Sequence, residues 1–129
     1  MLFRSRLIQY VDTSALVAAV GGDAMARGAL AAQRSVSSAL LQVEAARALR
    51  GAAPEVRARA EELVATIDLI DIDRGIVAKA AQLAPEVRLR SLDAIHLATA
   101  LAVPEPVAML TLDQRLLAAS LLVGVRPAL

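Results

Sequence analysis

Four acidic side chains stand inside apolar stretches: Asp12 after Leu7-Ile8-Gln9-Tyr10-Val11, Glu44 within Leu40-Leu41-Gln42-Val43-Glu44-Ala45-Ala46, Asp93 ahead of Ala94-Ile95-His96-Leu97, and Asp113 after Met109-Leu110-Thr111-Leu112. A carboxylate among groups that folding buries is costly unless a cation or hydrogen-bond donors neutralise it. Four such acids point to a shared divalent metal. The chain has no cysteine and one histidine, which excludes thiolate zinc sites, thiol nucleophiles and His-rich metal sites. The ligands that remain are oxygens, and these favour Mg²⁺, Mn²⁺ or Ca²⁺. A divalent ion relieves the repulsion among crowded carboxylates and activates water, the chemistry of phosphate-ester hydrolysis.

Each acid also has a structural reading. Asp12 and Asp113 suit helix caps. Glu44 suits a surface pair with Arg47, one helical turn on, or simple solvation. Asp93 suits capping together with Ser91. Asp68, Asp71 and Asp73 read as ordinary exposed acids of a strand and a loop. His96, three residues after Asp93, reads as a packing or hydrogen-bonding residue rather than a base. Gly21-Gly22 lacks the rest of a phosphate-loop pattern and is assigned to a turn.

The elements that must position these acids follow from periodicity. Leu7 to Val11 reads as a strand, and Asp12-Thr13-Ser14 caps a helix that begins Ala15-Leu16-Val17. Gly21-Gly22-Asp23 ends that helix and caps a second through about Ala32. A brief strand near Ser35 to Ser37 leads into a helix over Ser38 to Arg50, on which Leu40, Leu41, Glu44, Ala45 and Ala48 keep helical spacing. Gly51 and Pro54 separate it from a helix over Glu55 to Ala65. Ile67 to Ile72 reads as a third strand. Asp73 caps a helix to about Ala84, which Pro85 stops. Ser91 or Asp93 opens a helix over Ala94 to Val103, and Pro104-Glu105-Pro106 ends it. Val107 to Thr111 is a fourth strand, Gln114 to Ser120 a helix, and Leu122 to Val125 a final edge strand.

Strands separated by helices imply a parallel sheet of four to five strands covered by helices on both faces, an α/β fold in one domain over residues 1–129. Ligands in such sheets bind beyond the carboxyl ends of the strands, where Asp12 and Asp113 fall. At 129 residues the chain is long enough for one core that buries roughly two-thirds of its unfolded surface. The residues are 57% hydrophobic, with Ala and Leu dominant and aromatics only 2%. No apolar run reaches the ~18–20 residues of a membrane span. Arg4 and Arg6 before an apolar segment superficially resemble a secretory signal, but Asp12 interrupts the segment, which is read instead as the first strand of a cytoplasmic protein. The net charge of +1 is too small to indicate nucleic-acid binding. All fourteen basic residues except Lys79 are arginine, a side chain that grips phosphate in bidentate fashion, although a GC-rich genome accounts for the same bias.

Four segments carry a family resemblance: Tyr10-Val11-Asp12-Thr13-Ser14-Ala15-Leu16, Glu44 after Ser37-Ser38-Ala39-Leu40-Leu41-Gln42-Val43, Ser91-Leu92-Asp93-Ala94-Ile95-His96-Leu97-Ala98-Thr99-Ala100, and Leu110-Thr111-Leu112-Asp113-Gln114-Arg115-Leu116. In this order, and over essentially the whole chain, they resemble the PIN-domain ribonucleases, particularly the VapC-type toxins. The Asp93 segment is the most specific. The resemblance implies a Mg²⁺-dependent endoribonuclease, with Mn²⁺ as an alternative ion, acting as the toxin of a type II toxin–antitoxin pair. By the resemblance, Asp12, Glu44, Asp93 and Asp113 form the metal site, and Ser14 and Thr111 offer hydroxyls to it. It further implies an RNA substrate, a small antitoxin that wraps the toxin and blocks the site, and a homodimer. One departure is the wholly apolar Leu16-Val17-Ala18-Ala19-Val20, where many relatives carry a charge, so contacts near that helix do not transfer. Two other readings stand beside this one. A dehalogenase-like phosphatase also places Asp after its first strand, but needs a second Asp where this chain has Ser14. A non-catalytic RNA- or partner-binding module of the same fold would retain the acids without turnover.

Overall fold

Four short strands set the centre of the molecule. A computed structural model describes residues 7–129, and the Arg4 and Arg6 flank lies outside them. Four strands, β1 (Ile8–Val11), β2 (Arg34–Ser38), β3 (Asp68–Ile70) and β4 (Val107–Leu110), form one parallel sheet in the order β3-β2-β1-β4. The central β1 is buried throughout because both its faces are covered, and the polar Gln9 within it donates its amide to the Ala29 carbonyl and the Ser35 hydroxyl.

Alternation along β1 sends its side chains to two cores. Ile8 and Tyr10 join Val36, Met109, Leu97, Ala100, Leu116 and Ala119, the face covered by α6 (Ser91–Ala102) and α7 (Gln114–Leu122). Val11 joins Leu110, Ala15, Leu16, Leu41 and Ala45 on the opposite face, under α1 (Thr13–Val20) and α3 (Leu40–Ala48), with side chains of α2 (Ala24–Ala32) and α4 (Pro54–Ala65) packed against it. The last helix, α5 (Arg74–Ala81), precedes α6 on the crossover from β3 to β4. Fully burying a side chain such as Leu97 contributes on the order of 1.5–3 kcal/mol.

Aspartates start four of the helices. Asp12, Asp23, Asp73 and Asp113 each accept backbone N–H groups at the N-termini of α1, α2, α5 and α7, a cap typically worth ~1 kcal/mol. Gly22, at φ +103°, makes the turn ahead of Asp23. Ser91 and Asp93, expected to cap α6, do not cap it. The helix opens at Ser91, three residues earlier than its apolar spacing suggests, with Arg90 at the cap and Asp93 inside the first turn.

The carboxyl end of the chain differs from expectation. Leu122 closes α7 instead of opening an edge strand, because Leu116, Ala119 and Ser120 continue a buried helical stripe. The chain reverses at Gly124 (φ +84°) and touches β4 only later. There Met109 donates to the Arg126 carbonyl and Ala128 donates to that of Met109, around one isolated bridge at Pro127. The sheet therefore has four strands. No single helix among the described residues is long and apolar enough to cross a membrane.

Candidate acidic site

The sheet changes direction of winding between β1 and β4, since β2 and β3 lie on one side of β1 and β4 on the other. Such a switch point leaves a crevice at the carboxyl ends of the two strands. Asp12 follows β1 and Thr111 and Asp113 follow β4, and the Asp12 N–H donates to the Leu110 carbonyl at 3.0 Å, tying the two strand ends together.

Asp12 is 5% exposed. Its Oδ2 accepts the Ser14 hydroxyl at 2.7 Å and the Thr111 hydroxyl at 2.8 Å. Backbone groups aim those hydroxyls in turn. Leu112 N–H donates to Ser14 Oγ at 2.9 Å, and Asp113 N–H donates to Thr111 Oγ1 at 3.0 Å. The cap reading and the site reading of Asp12 are thus compatible, for the turn that starts α1 also fixes the carboxylate.

Glu44 lies on the second turn of α3, half-buried. The expected pair with Arg47 does not form. Instead Glu44 Oε1 accepts the Thr13 hydroxyl and stands against His96 Nε2, each at 2.6 Å. His96 is fully buried; its Nδ1 is 2.6 Å from Tyr10 Oη, which also accepts the Ser38 N–H at 3.1 Å. His96 Nε2 lies 4.0 Å from Asp12 Oδ1 as well. Burial alone would raise the Glu44 carboxyl. The hydrogen bonds from His96 and Thr13 outweigh it and hold the carboxyl below its usual range.

Asp93 shows the opposite displacement. Burial pushes its carboxyl up, and the charges of Asp12, Asp113 and Glu44 push the same way. All four acids therefore lie in one electrostatic neighbourhood. No arginine or lysine neutralises them, because the only carboxylate–guanidinium pair among the described residues is the exposed Arg34–Asp68 contact at 3.5 Å. Asp113 commits Oδ1 to the N–H groups of Arg115 and Leu116 at the head of α7.

The donor set suits a hard divalent cation: carboxylates and hydroxyls, the one imidazole, His96, being taken up by Glu44 and Tyr10. Direct ligation by many of them is not present, for among the described residues no group of three or more His, Asp or Glu side chains converges closely enough to hold one ion. The two observations agree for an ion such as Mg²⁺, which keeps several waters and takes one or two carboxylates directly.

The surroundings are apolar and cationic. Val43 beside Glu44, Leu92 beside Asp93 and Leu112 beside Asp113 are all exposed. Arg115, two residues after Asp113, lines a cleft of about 490 Å³ with Arg88, Glu86 and the outer side of α7. Neither arginine has a carboxylate within 4.0 Å among the described residues. Asp12, Ser14, Glu44, Asp93, Thr111 and Asp113, the residues expected from sequence, lie at the same sheet edge. Tyr10 and Thr13 are partners of the site that sequence does not reveal, and the one available signal is that Tyr10 and His96 are the chain's sole tyrosine and sole histidine.

Comparison with known proteins bears on this arrangement. The PIN domain family model matches residues 9–120. Ribonuclease VapC35 of Mycobacterium tuberculosis is 40% identical over 119 residues, covering 83% of this chain and 85% of the relative. Ribonuclease VapC46 of the same species is 38% identical over 95 residues, covering 70% and 72%. Among solved structures, a toxin–antitoxin complex from Klebsiella pneumoniae aligns with a TM-score of 0.69 at 24% identity over 81% of this chain and 86% of that one. A crystal structure of a Pyrobaculum aerophilum protein aligns at 0.63 and 20% identity over 91% and 83%. These two alignments bear on the fold.

Proposed function

The chain belongs to the PIN-domain family, among its VapC-type members, and on that premise we propose that it is a Mg²⁺- or Mn²⁺-dependent endoribonuclease, the toxin of a type II toxin–antitoxin pair. The observation that carries this reading is the shared field of Asp12, Glu44, Asp93 and Asp113 at the β1/β4 switch point, with no arginine or lysine paired to any of them among the described residues. A divalent ion there supplies charge neutralisation at the phosphate and activation of the attacking water.

The protein's own groups bind and orient. Asp12, Glu44 and Asp93 would hold the main ion, one or two of them directly and the rest through its waters, and Asp113 would support it through water or assist a second. Ser14 and Thr111 fix the Asp12 carboxylate in place through charge-assisted hydrogen bonds. Arg88 and Arg115 line a cleft along α7, the helix capped by Asp113, and meet the RNA backbone there, where guanidinium groups suit phosphate oxygens. The exposed Val43, Leu92 and Leu112 give a partner protein an apolar rim to cover, consistent with an antitoxin that closes the site. One PIN-like domain over residues 1–129, a homodimer and a cytoplasmic setting complete the reading.

The deciding experiment is cleavage of total RNA by purified protein in Mg²⁺ or Mn²⁺, beside EDTA and Asp93→Asn controls. Discrete fragments that disappear in both controls are expected. Absence of cleavage together with absence of ion binding would instead favour a non-catalytic RNA- or partner-binding module.

A further inference from the structure

A buried hydrogen-bonded chain reaches Glu44 from the interior, and nothing in the acid-site reading accounts for it. It begins at the carboxyl end of β2, where the Ser38 N–H donates to Tyr10 Oη at 3.1 Å. A backbone N–H can only donate, so the phenol accepts there and retains its own proton for another partner. His96 Nδ1 is that partner at 2.6 Å, with the two rings edge to face at 5.7 Å and 76°. An Nδ1 that accepts leaves the imidazole proton on Nε2, which faces Glu44 Oε1 at 2.6 Å. Thr13 completes the arrangement from α1 by donating to the same oxygen.

We propose that Tyr10 and His96 are positioning residues of the acidic centre: Tyr10 holds His96 in the Nε2-protonated tautomer, and His96 with Thr13 commits one Glu44 oxygen to the protein, leaving the other to the ion. This rests on the metal-dependent reading above. Two features set the chain apart from ordinary core packing. It joins β1, β2, α1, α3 and α6 through the Ser38 N–H and the side chains of Tyr10, His96 and Thr13, each of which meets a partner on the way to Glu44 Oε1. It also ends on a candidate ligand rather than on backbone. Groups that hydrogen-bond a ligating carboxylate fix its orientation, and losing them typically weakens metal affinity on the order of 10–100-fold.

The test uses the full-length protein and two readouts that need no RNA. Imidazole ¹⁵N NMR of the metal-free wild type near neutral pH should show a proton on Nε2 and an unprotonated Nδ1. Mn²⁺ titration followed by EPR should show affinity reduced roughly 10–100-fold in His96→Leu. His96→Gln, whose amide N–H takes the place of the Nε2 donor, should recover most of that loss, and Tyr10→Phe should fall between. A ring protonated at Nδ1 or at both nitrogens overturns the proposal, as does wild-type affinity in Tyr10→Phe and His96→Gln together with equal affinity in a folded His96→Leu. Should His96→Leu fail to fold, the wild-type spectrum and Tyr10→Phe still decide. A wild type that binds no Mn²⁺ overturns both the metal centre and its positioning chain; one that binds Mn²⁺ but cleaves no RNA overturns only the ribonuclease reading.

Discussion

The Thr111 hydroxyl donates to Asp12 Oδ2 at 2.8 Å across 99 residues of chain, so the end of β4 directly restrains the carboxylate at the end of β1. Thr111→Val keeps the shape of the side chain and removes this donor from a buried anion, at a cost of about 1.5–3 kcal/mol. Thr111→Ser keeps the hydroxyl and should behave like the wild type. Thermal unfolding and RNA cleavage measured on both variants check this, and equal stability of the valine and serine forms would count against a restraining role.

Asp93 is expected to oppose folding in the absence of ions. Burial and the charges of Asp12, Asp113 and Glu44 raise its carboxyl in the folded protein. The folded state therefore holds the proton more tightly than the unfolded chain, where Asp titrates near ~3.9. Stability from this group is full below that pH and declines as pH rises through the folded value. Asp93→Asn should accordingly abolish cleavage yet raise the melting temperature of metal-free protein at pH 7, with the gap closing near pH 3. Parallel melting curves across that pH range would sink the electrostatic account.

Glu44 is expected to have the opposite sign. Its carboxyl is held below the usual range, against burial, by His96 and Thr13. Its contribution is therefore present above the unfolded value of ~4.3 and lost as pH falls through the folded one. Glu44→Gln should destabilise at neutral pH, with the difference from wild type shrinking on acidification. Urea unfolding at several pH values measures it.

Divalent ions should stabilise the fold through the same carboxylates. An ion at 100 times its dissociation constant adds about 2.7 kcal/mol if it binds only the native state. Mg²⁺ or Mn²⁺ should raise the melting temperature, EDTA should reverse the rise, and Asp12→Asn combined with Asp93→Asn should remove the response. An undiminished ion response in that double variant would place the ion elsewhere.

Arg88 and Arg115 share a cleft along α7, the helix that Asp113 caps, and have no acidic partner within 4.0 Å among the described residues. If both touch RNA phosphates, Arg88→Ala with Arg115→Ala should flatten the salt dependence of RNA binding. On single-stranded RNA the log–log slope should fall by about 0.7 for each phosphate that is no longer neutralised. Fluorescence anisotropy in EDTA isolates binding from cleavage, and an unchanged slope would exclude this track.

Local pattern was enough for much of the frame. The Leu7–Val11 run, the Asp12-Thr13-Ser14 and Gly21-Gly22-Asp23 breaks, and the Gln114 helix start all coincide closely with observed boundaries. Strand burial and helix caps depend on neighbours a few residues away, which is why they show in the order of residues. The errors fall where a short apolar run fits two periods: Leu122 belongs to the helical stripe of Leu116, Ala119 and Ser120 rather than to a strand.

Sequence by itself determined which acids stand at strand ends and on buried helix faces, because alternation and 3.6-residue spacing fix those places locally. Only the tertiary structure decided what each acid meets. Along its own helix Glu44 has Arg47 within reach, but packing of α6 across β1 brings in His96, 52 residues away, and Tyr10 behind it. A buried polar group must be satisfied wherever a partner can be found, and here the partners come from other elements. Spacing along one helix cannot show them; the parallel sheet, which gathers the ends of β1, β2 and β4 at one edge, does.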